Sequence, residues 1–314
     1  MTRFSVIIPN YNHAAFLKER IESVLIQAYS DFELIILDDC STDNSRDIIE
    51  QYRQHPKVSH IVYNKRNSGY PCKQWQKGVQ LAKGEWIWIA ESDDVAGPLF
   101  LESLLNCIQQ YPSAGIVYTN SYKEDTDAGG FKTTAEETNF DFSVNKWDHS
   151  NLIKGETAIN NYLRKKNIIL NISSALIRKQ YLDSLLPEIK AMKYYADWYL
   201  YIRLAAISDI GYSSQLLNTF RRHPGSLIHQ SAIRGIKTDC FRILNLLSIQ
   251  PYIGNKPELI VYFTDNYLKP GLKSAGMIFF TRLITRWFLI NPGLATVILK
   301  KIIYSALKRG RALK

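Results

Sequence analysis

From Gly84 to Asp94 the chain reads GEWIWIAESDD, an unbroken apolar run from Trp86 to Ala90 that meets the carboxylates Glu91, Asp93 and Asp94. Successive side chains of a strand point to opposite faces, so a strand apolar at every position must be covered on both sides. The parallel sheets of α/β proteins provide that cover. Charges at the C-terminal end of such a strand lie where open α/β sheets take up ligands. Oxygen ligands of this kind suit Mg²⁺ or Mn²⁺, with phosphate completing the coordination. A polar strand end facing solvent is the plainer reading, and this segment alone does not separate the two.

Two further segments have the same form. Phe4 to Pro9 is an apolar run that closes in Asn10-Tyr11-Asn12, and Ala14 to Tyr29 then sets Phe16, Leu17, Ile21, Val24, Leu25 and Ala28 at helical spacing. Glu33 to Leu37 leads into Asp38-Asp39-Cys40-Ser41-Thr42-Asp43, where Ser41, Thr42 and Asp43 offer N-cap chemistry to a helix starting near Ser45. Strand, helix, strand, helix, strand predicts right-handed βαβ units and a parallel sheet. Tyr11, Asp39 and the segment from Glu91 to Asp94 then converge on one edge of that sheet. Lys123 to Asn139, rich in Thr, Asp, Glu and Gly, reads as a loop between two halves of the chain, placed to act as a lid.

SVIIPNYN, LDDCSTDNS and AKGEWIWIAESDD, in that order and spacing, resemble the nucleotide-sugar domain of the family 2 glycosyltransferases. The ESDD form, preceded by the segment from Lys73 to Gly78, is similar to a subset of that family. The resemblance runs roughly from Thr2 to Ser231 and is most specific toward the N-terminus. It implies a GT-A fold: an α/β, Rossmann-like, mostly parallel sheet with flanking helices. Residues 1–120 would form the nucleotide-sugar half and residues 121–231 the acceptor half. Residues 232–314 would form a helical extension.

The resemblance also implies roles. Pro9 and Tyr11 would line the base pocket, and Asp39 or Asp38 would accept from the ring N–H of a uracil or thymine. The family's Asp-x-Asp metal motif reads Glu91-Ser92-Asp93 here. Asp93 would then be the direct metal ligand, with Asp94 beside it in the metal set as neighbour or orienting group, while Glu91 and Ser92 face the nucleotide. Lys73 would contact phosphate. Tyr195-Ala196-Asp197-Trp198 looks like the element whose aspartate is the catalytic base, with Trp198 on the acceptor side. A helix start favours an ionised carboxylate, and it equally suits a capping aspartate. Leu217 to Ser226 resembles an Arg-x-His element, in which His223 would join the metal set. Arg221 and Arg222 would offset phosphate charge or form a solvated turn. Asn171 to Arg178 looks like the strand beneath the acceptor, with Ser173 and Ser174 offering hydroxyls to a sugar. Trp75 and Trp198 could stack on sugar faces, whereas the strand positions of Trp86 and Trp88 favour the core.

Taken together, these expectations describe an inverting, metal-dependent transferase. It would move a sugar from a nucleotide diphospho-sugar, UDP-linked, to a hydroxyl of a glycan or lipid-linked acceptor in bacterial-type surface polysaccharide synthesis. A sugar-nucleotide pyrophosphorylase would need a Gly-rich basic loop after the first strand, and Pro9-Asn10-Tyr11-Asn12-His13 is not one. A catalytically silent glycan-binding or assembly subunit is the rival of another class, and the co-occurrence of Asp39, Asp93 and Asp197 argues against it.

Charge matters through its distribution. The chain has 39 Lys and Arg against 29 Asp and Glu, a net charge of +10. The stretch 269–314 contains Lys269, Lys273, Arg282, Arg286, Lys300, Lys301, Lys308, Arg309, Arg311 and Lys314 and no acid, so it accounts for the whole excess. Its aromatic and aliphatic residues recur at helical spacing, but no apolar run reaches the ~18 residues of a membrane span. Basic amphipathic helices suit an anionic membrane surface. Packing on the catalytic domain is the other reading, and nucleic acid is disfavoured because no recognition motif accompanies the charge. Cys40, Cys72, Cys107 and Cys240 form no CxxC pair, and the chain opens almost at once on a strand. These features point to reduced thiols in the cytoplasm and a peripheral place on the inner face of the cell membrane. Deleting 269–314 should abolish partition onto anionic vesicles in a co-sedimentation assay; equal partition of the truncated and full chains would remove the tail from that role.

Overall fold

The computed structural model describes residues 3–126, 131–134 and 147–226, with residues 239, 242, 243, 246, 247, 296 and 300 beyond them. The chain divides into two compact units, Met1–Leu163 with Asn167–Gln230, and Arg164–Lys166 with Ser231–Lys314. The basic stretch from Lys269 lies outside the described residues, apart from Thr296 and Lys300.

In the first unit, β1 (Phe4–Asn10), β2 (Phe32–Asp38) and β4 (Trp86–Ile89) are buried at every position. They pair in parallel, β1 between β2 and β4. Helix α1 (Ala14–Leu25) carries Leu17, Ile21 and Val24 into this core, and α2 (Ser45–Glu50) contributes Ile49. Between α2 and β4 the chain adds β3 (Val58–Tyr63), parallel to β2, and α3 (Pro71–Leu81). Sequence reading omits β3 because its residues are only half-buried at the sheet edge, where the apolar signal thins.

After β5 (Val95–Ala96) and α4 (Phe100–Gln110), the second half of the unit is less regular. Its strands are β6 (Ala114–Asp125), β7 (Phe131–Thr134), β8 (Asn151–Ile153), β9 (Ala175–Arg178) and β10 (Asp209–Arg222). Helices α5 (Lys179–Ile189) and α6 (Ala196–Ala205) pack between the last two. Along the sheet the order is β3-β2-β1-β4-β9-β6-β10-β5, with β7 on β6 and β8 on β10. β9 runs antiparallel to β4 and to β6, which makes the sheet mixed at its centre. The loop expected at Lys123–Asn139 is in part a hairpin: β7 pairs antiparallel with Tyr122–Asp125. Residues 127–130 and 135–146 lie outside the described residues, so a lid role for them has no structural account.

Two features align the strand ends. Asp39 N–H donates to Asn10 O at 2.8 Å and Ala90 N–H to Ile7 O at 2.8 Å, so the loops after β2, β1 and β4 leave the sheet side by side. At the opposite end Ser5 Oγ donates to Glu33 Oε1 at 2.7 Å and receives Gly84 N–H at 2.8 Å. Gly84 has no room for a side chain there. A Cβ would stand 2.6 Å from Ser5 N and 2.7 Å from Phe4 C, and neither backbone atom can yield without shifting β1. Gly84→Ala should therefore cost about 1–3 kcal/mol in denaturant unfolding; an unchanged midpoint would show that β1 moves freely.

Candidate active site

Three loops and one crossing strand build the site. The loop after β1 is tied to the loop after β2. Asn10 Nδ2 donates to Asp38 Oδ1 and Ser41 Oγ, both at 3.1 Å, and Asn12 Oδ1 accepts from Thr42 N–H at 2.7 Å. Asn12, at φ 54°, turns the chain so that His13 faces the end of β4. His13 Nδ1 lies 2.8 Å from Ser92 Oγ. β10 reaches the same place by pairing antiparallel with β5, Asn218 opposite Ala96. His223, just past β10, sets its Nε2 3.1 Å from Asp93 Oδ2. His13, Asp93 and His223 thus present ligand atoms that all lie within 4.8 Å of one another.

The other two carboxylates are held from below. Asp94 is buried and accepts from Asn171 Nδ2 at 2.6 Å and from Arg221 N–H at 3.1 Å. Glu91 Oε1 accepts from Trp75 Nε1 at 2.7 Å, and Glu91 N–H donates to Ser173 Oγ at 3.0 Å. Beneath them Arg20, fully buried on α1, donates from Nε to Glu91 O at 2.9 Å. Its guanidinium lies over the Trp88 ring, 5.1 Å from the centroid, and its two Nη atoms have no hydrogen-bond partner among the described residues.

Crowding three acids in an enclosed place has the expected electrostatic result. Enclosure, reinforced by the charge of Asp93, pushes the Glu91 carboxyl up to about 8. Burial and the same neighbour push Asp94 up to about 7. Burial acts against ionised Asp93 too, but the His223 hydrogen bond and the charges of His13 and His223 outweigh it and hold that carboxyl low. Burial lowers His13, against the pull of Asp93. Burial also draws Arg20 down to about 10, opposed by Asp94, Asp93 and Glu91, which leaves it cationic at neutral pH. Of the three carboxyls Asp93 is the one held low, and it is the member beside two imidazoles.

Asp197 stands in the first turn of α6, as its sequence position predicts. Its Oδ2 accepts from Asn167 Nδ2 at 3.1 Å and its Oδ1 from Trp198 N–H at 2.8 Å. Tyr201, one turn further along α6, is fully buried, and its hydroxyl has no hydrogen-bond partner among the described residues. Burial, then the charges of Asp197 and Glu91, hold its phenol well above the ordinary value, so both carboxylates bear on that one ring.

Several expected contacts take another form. Ser173 and Ser174 are fully buried. Ser173 supports Glu91 and Trp88, and Ser174 Oγ donates to Asn171 O at 2.8 Å, so neither presents a hydroxyl to a sugar. Trp198 is likewise buried, donating from Nε1 to Leu163 O at 2.8 Å, and offers no stacking face. Asp94 faces Asn171 and Arg221 rather than the His13–Asp93–His223 group. Ser92 is turned to His13. Arg221 directs its guanidinium to Glu19 and Glu124. Lys73 is exposed, with Nζ 2.9 Å from Ser68 O. Pro9 is buried in β1, and Tyr11 is exposed in the loop that follows.

Asp38 and Asp39 are both engaged. Asp38 accepts from Asn10, Ser41 N–H and Arg46. Asp39 accepts from Asn64, Gln74, Ser68 N–H and Ser68 Oγ. A carboxylate has about four acceptor positions, so a nucleobase N–H at Asp39 would have to replace one of these donors. Sequence reading missed His13, Arg20, Asn171 and Tyr201 as site residues. Arg20 left a trace, since a cation on the buried stripe of α1 between Leu17 and Val24 needs an acidic partner.

Residues 5–186 match the family model for Glycosyl transferase family 2. The chain belongs to that family. Among curated relatives of this family 2 member, the glycosyltransferase GlyG of Streptococcus pneumoniae is 34% identical over 127 residues, which is 40% of this chain and 42% of that protein. The poly(ribitol-phosphate) beta-N-acetylglucosaminyltransferase TarS of Staphylococcus aureus is 34% identical over 117 residues, 36% of this chain and 20% of that one. The chain thus matches less than half the length of either. The crystal structure of TarS 1-349 in complex with UDP-GlcNAc superposes with a TM-score of 0.70 at 17% identity, covering 96% of this chain and 85% of that one. Mannosyltransferase PcManGT from Pyrobaculum calidifontis, in complex with GDP-Man and Mn²⁺, does so with a TM-score of 0.51 at 15% identity, covering 96% and 86%. Both likenesses show the GT-A fold.

The donor set fits a divalent cation. Asp93 and His223 atoms 3.1 Å apart match adjacent ligands of an octahedral ion bound at about 2.1 Å, which lie roughly 3.0 Å apart. The raised Glu91 and Asp94 also set a pH dependence. Folded protein holds protons on them that the unfolded chain releases between the ordinary carboxyl value, near 4.5 for Glu91, and about 8. Stability without metal is therefore greatest below that window and falls as pH rises through it. In thermal unfolding with chelator present, Glu91→Gln should flatten the fall between about pH 5 and pH 8; a slope unchanged from wild type would mean Glu91 is ionised throughout.

Proposed function

We propose that this chain is an inverting glycosyltransferase that moves a sugar from a nucleotide diphospho-sugar, of the UDP class, to a hydroxyl of a glycan or lipid-linked acceptor. The observation that carries this reading is the placement of Asp93 beside His13 and His223 at the end of β4, together with Asp197 in the first turn of α6. TarS, whose structure holds UDP-GlcNAc, and the Mn²⁺ in the PcManGT complex support the donor class and the metal.

In this mechanism Asp197 accepts the proton of the acceptor hydroxyl. Asn167 Nδ2 and the Trp198 N–H hold its carboxylate in place, and the N-terminal end of α6 favours the ionised form. The freed oxygen bonds to the anomeric carbon from the face opposite the leaving group. The bond from that carbon to the diphosphate oxygen breaks, configuration inverts, and the nucleoside diphosphate departs with the electron pair. Asp93 and His223 would hold Mn²⁺ or Mg²⁺, which when bound supplies charge stabilisation to the departing diphosphate. Tyr11, exposed beside Asn12, supplies a face for the base, and Asp39 meets the ring N–H by exchanging one of its present donors.

The acceptor belongs to bacterial surface polysaccharide synthesis in this reading. The names of the relatives support that class: the acceptor in the name of TarS is a poly(ribitol-phosphate). The division into 1–120, 121–231 and 232–314 and a cytoplasmic, membrane-peripheral location through 269–314 belong to the same proposal. Among the described residues no helix is long and apolar enough to cross a membrane.

Asp197→Asn should lower sugar transfer from a UDP-sugar by about 10²–10⁴-fold while UDP binding, followed by calorimetry with Mn²⁺, stays as in wild type. Normal transfer by the variant would take Asp197 out of the role of base. Absence of nucleotide binding by the folded wild type would favour the silent subunit instead.

A further inference from the structure

His13 takes no part in the proposed chemistry, and its surroundings are specific. It follows the positive-φ Asn12, which the Thr42 N–H anchors, so its position is set by the loops after β1 and β2 together. Its Nδ1 lies 2.8 Å from Ser92 Oγ, and Ser92 is buried. Its ring meets His223 edge to face, with centroids 5.3 Å apart. Ligand atoms of His13, Asp93 and His223 fall within 4.8 Å of one another, little more than the roughly 4.2 Å spanned by two ligands on opposite sides of an ion bound at about 2.1 Å.

We infer that His13 is a third protein ligand of the divalent cation, that Ser92 orients it, and that the site selects Mn²⁺ over Mg²⁺. The inference rests on the metal-dependent reading above. Metal-bound imidazoles commonly donate their other N–H to an acceptor that fixes the ring and its tautomer. In this assignment Ser92 Oγ accepts from Nδ1–H and His13 Nε2 is the atom left to the ion. Two imidazoles and one carboxylate make a donor set suited to Mn²⁺ and later transition ions, whereas Mg²⁺ prefers oxygen and keeps its waters. Three protein ligands leave positions for the donor diphosphate. The middle residue of the Glu91-Ser92-Asp93 motif thereby acquires a task, and the motif is completed by a histidine far from it in sequence.

The test uses the full chain and Mn²⁺ alone. Electron spin-echo modulation of bound Mn²⁺ counts coupled histidine nitrogens, and titration followed by electron paramagnetic resonance measures affinity. Wild type should show two histidines, and His13→Ala and His223→Ala one each. His13→Ala should weaken Mn²⁺ by about tenfold or more and Mg²⁺ much less, a loss at least as large as outer partners of metal ligands give. A single histidine in wild type, or His13→Ala with wild-type count and affinity, would overturn the inference while leaving the Asp93–His223 site intact. Failure of wild type to bind Mn²⁺, with or without UDP, would instead remove the metal-dependent reading itself. His13→Gln, compared by thermal unfolding without metal, separates ligand loss from damage to the loop.

Discussion

Parallel pairing of β1 with β2 on one side and β4 on the other is the constraint from which the site follows. Parallel strands end on the same edge, and each is buried along its whole length, so polar residues are admitted only where the strands stop. Asn10–His13, Asp38–Ser41 and Glu91–Asp94 are those stops. Their adjacency is enforced by the backbone bonds Asp39 to Asn10 and Ala90 to Ile7. The Ser5–Glu33–Gly84 contacts close the same three segments at the opposite end. A site assembled from strand ends inherits its rigidity from the sheet, which is what ligands to a small cation require.

Placing three carboxylates together in an enclosed space is unfavourable unless charge is offset. The fold answers in two ways. Below, the buried Arg20 and the donors Trp75, Asn171 and Ser173 stabilise Glu91 and Asp94. Above, His223 bonds Asp93 and His13 stands close by, its Nδ1 on Ser92 Oγ. The unequal treatment separates Asp93 from the other two carboxylates of the cluster. Glu91 and Asp94 are pushed up from the ordinary carboxyl value, and Asp93 is held below it. The cluster has spare affinity for positive charge, and a divalent ion would relieve it.

The second half of the first unit serves this edge from the other side. β9 and β10 do not continue the parallel pattern; β10 bends across to pair with β5 and so delivers Arg221 N–H to Asp94 and His223 to Asp93. The turn at Asn171–Ser174 lies under β4 and supports the motif from beneath. Ser173, Ser174 and Trp198 look like acceptor contacts in a sequence reading and are interior supports in the structure. Sequence position identifies the neighbourhood of such residues, but the direction of a side chain follows from packing against elements distant along the chain.

The sequence by itself determined the architecture of the first half, through apolar runs that only a sheet covered on both faces accommodates and through helical spacing between them. Its motifs resembled those of the family that the match over residues 5–186 shows, and that resemblance pointed to Asp93, His223 and Asp197 as candidates. The half-exposed β3 was not legible, because edge strands carry a weaker pattern. Tertiary structure alone decided which carboxyl is held low, since that depends on His13, Arg20 and His223 arriving from α1, its preceding loop and the end of β10. It alone showed that Asp39 is already fully hydrogen-bonded and that His13 and His223 gather around Asp93 within 4.8 Å. Burial and charge are properties of neighbours in space, and neighbours in space are what a linear pattern of residue types does not contain.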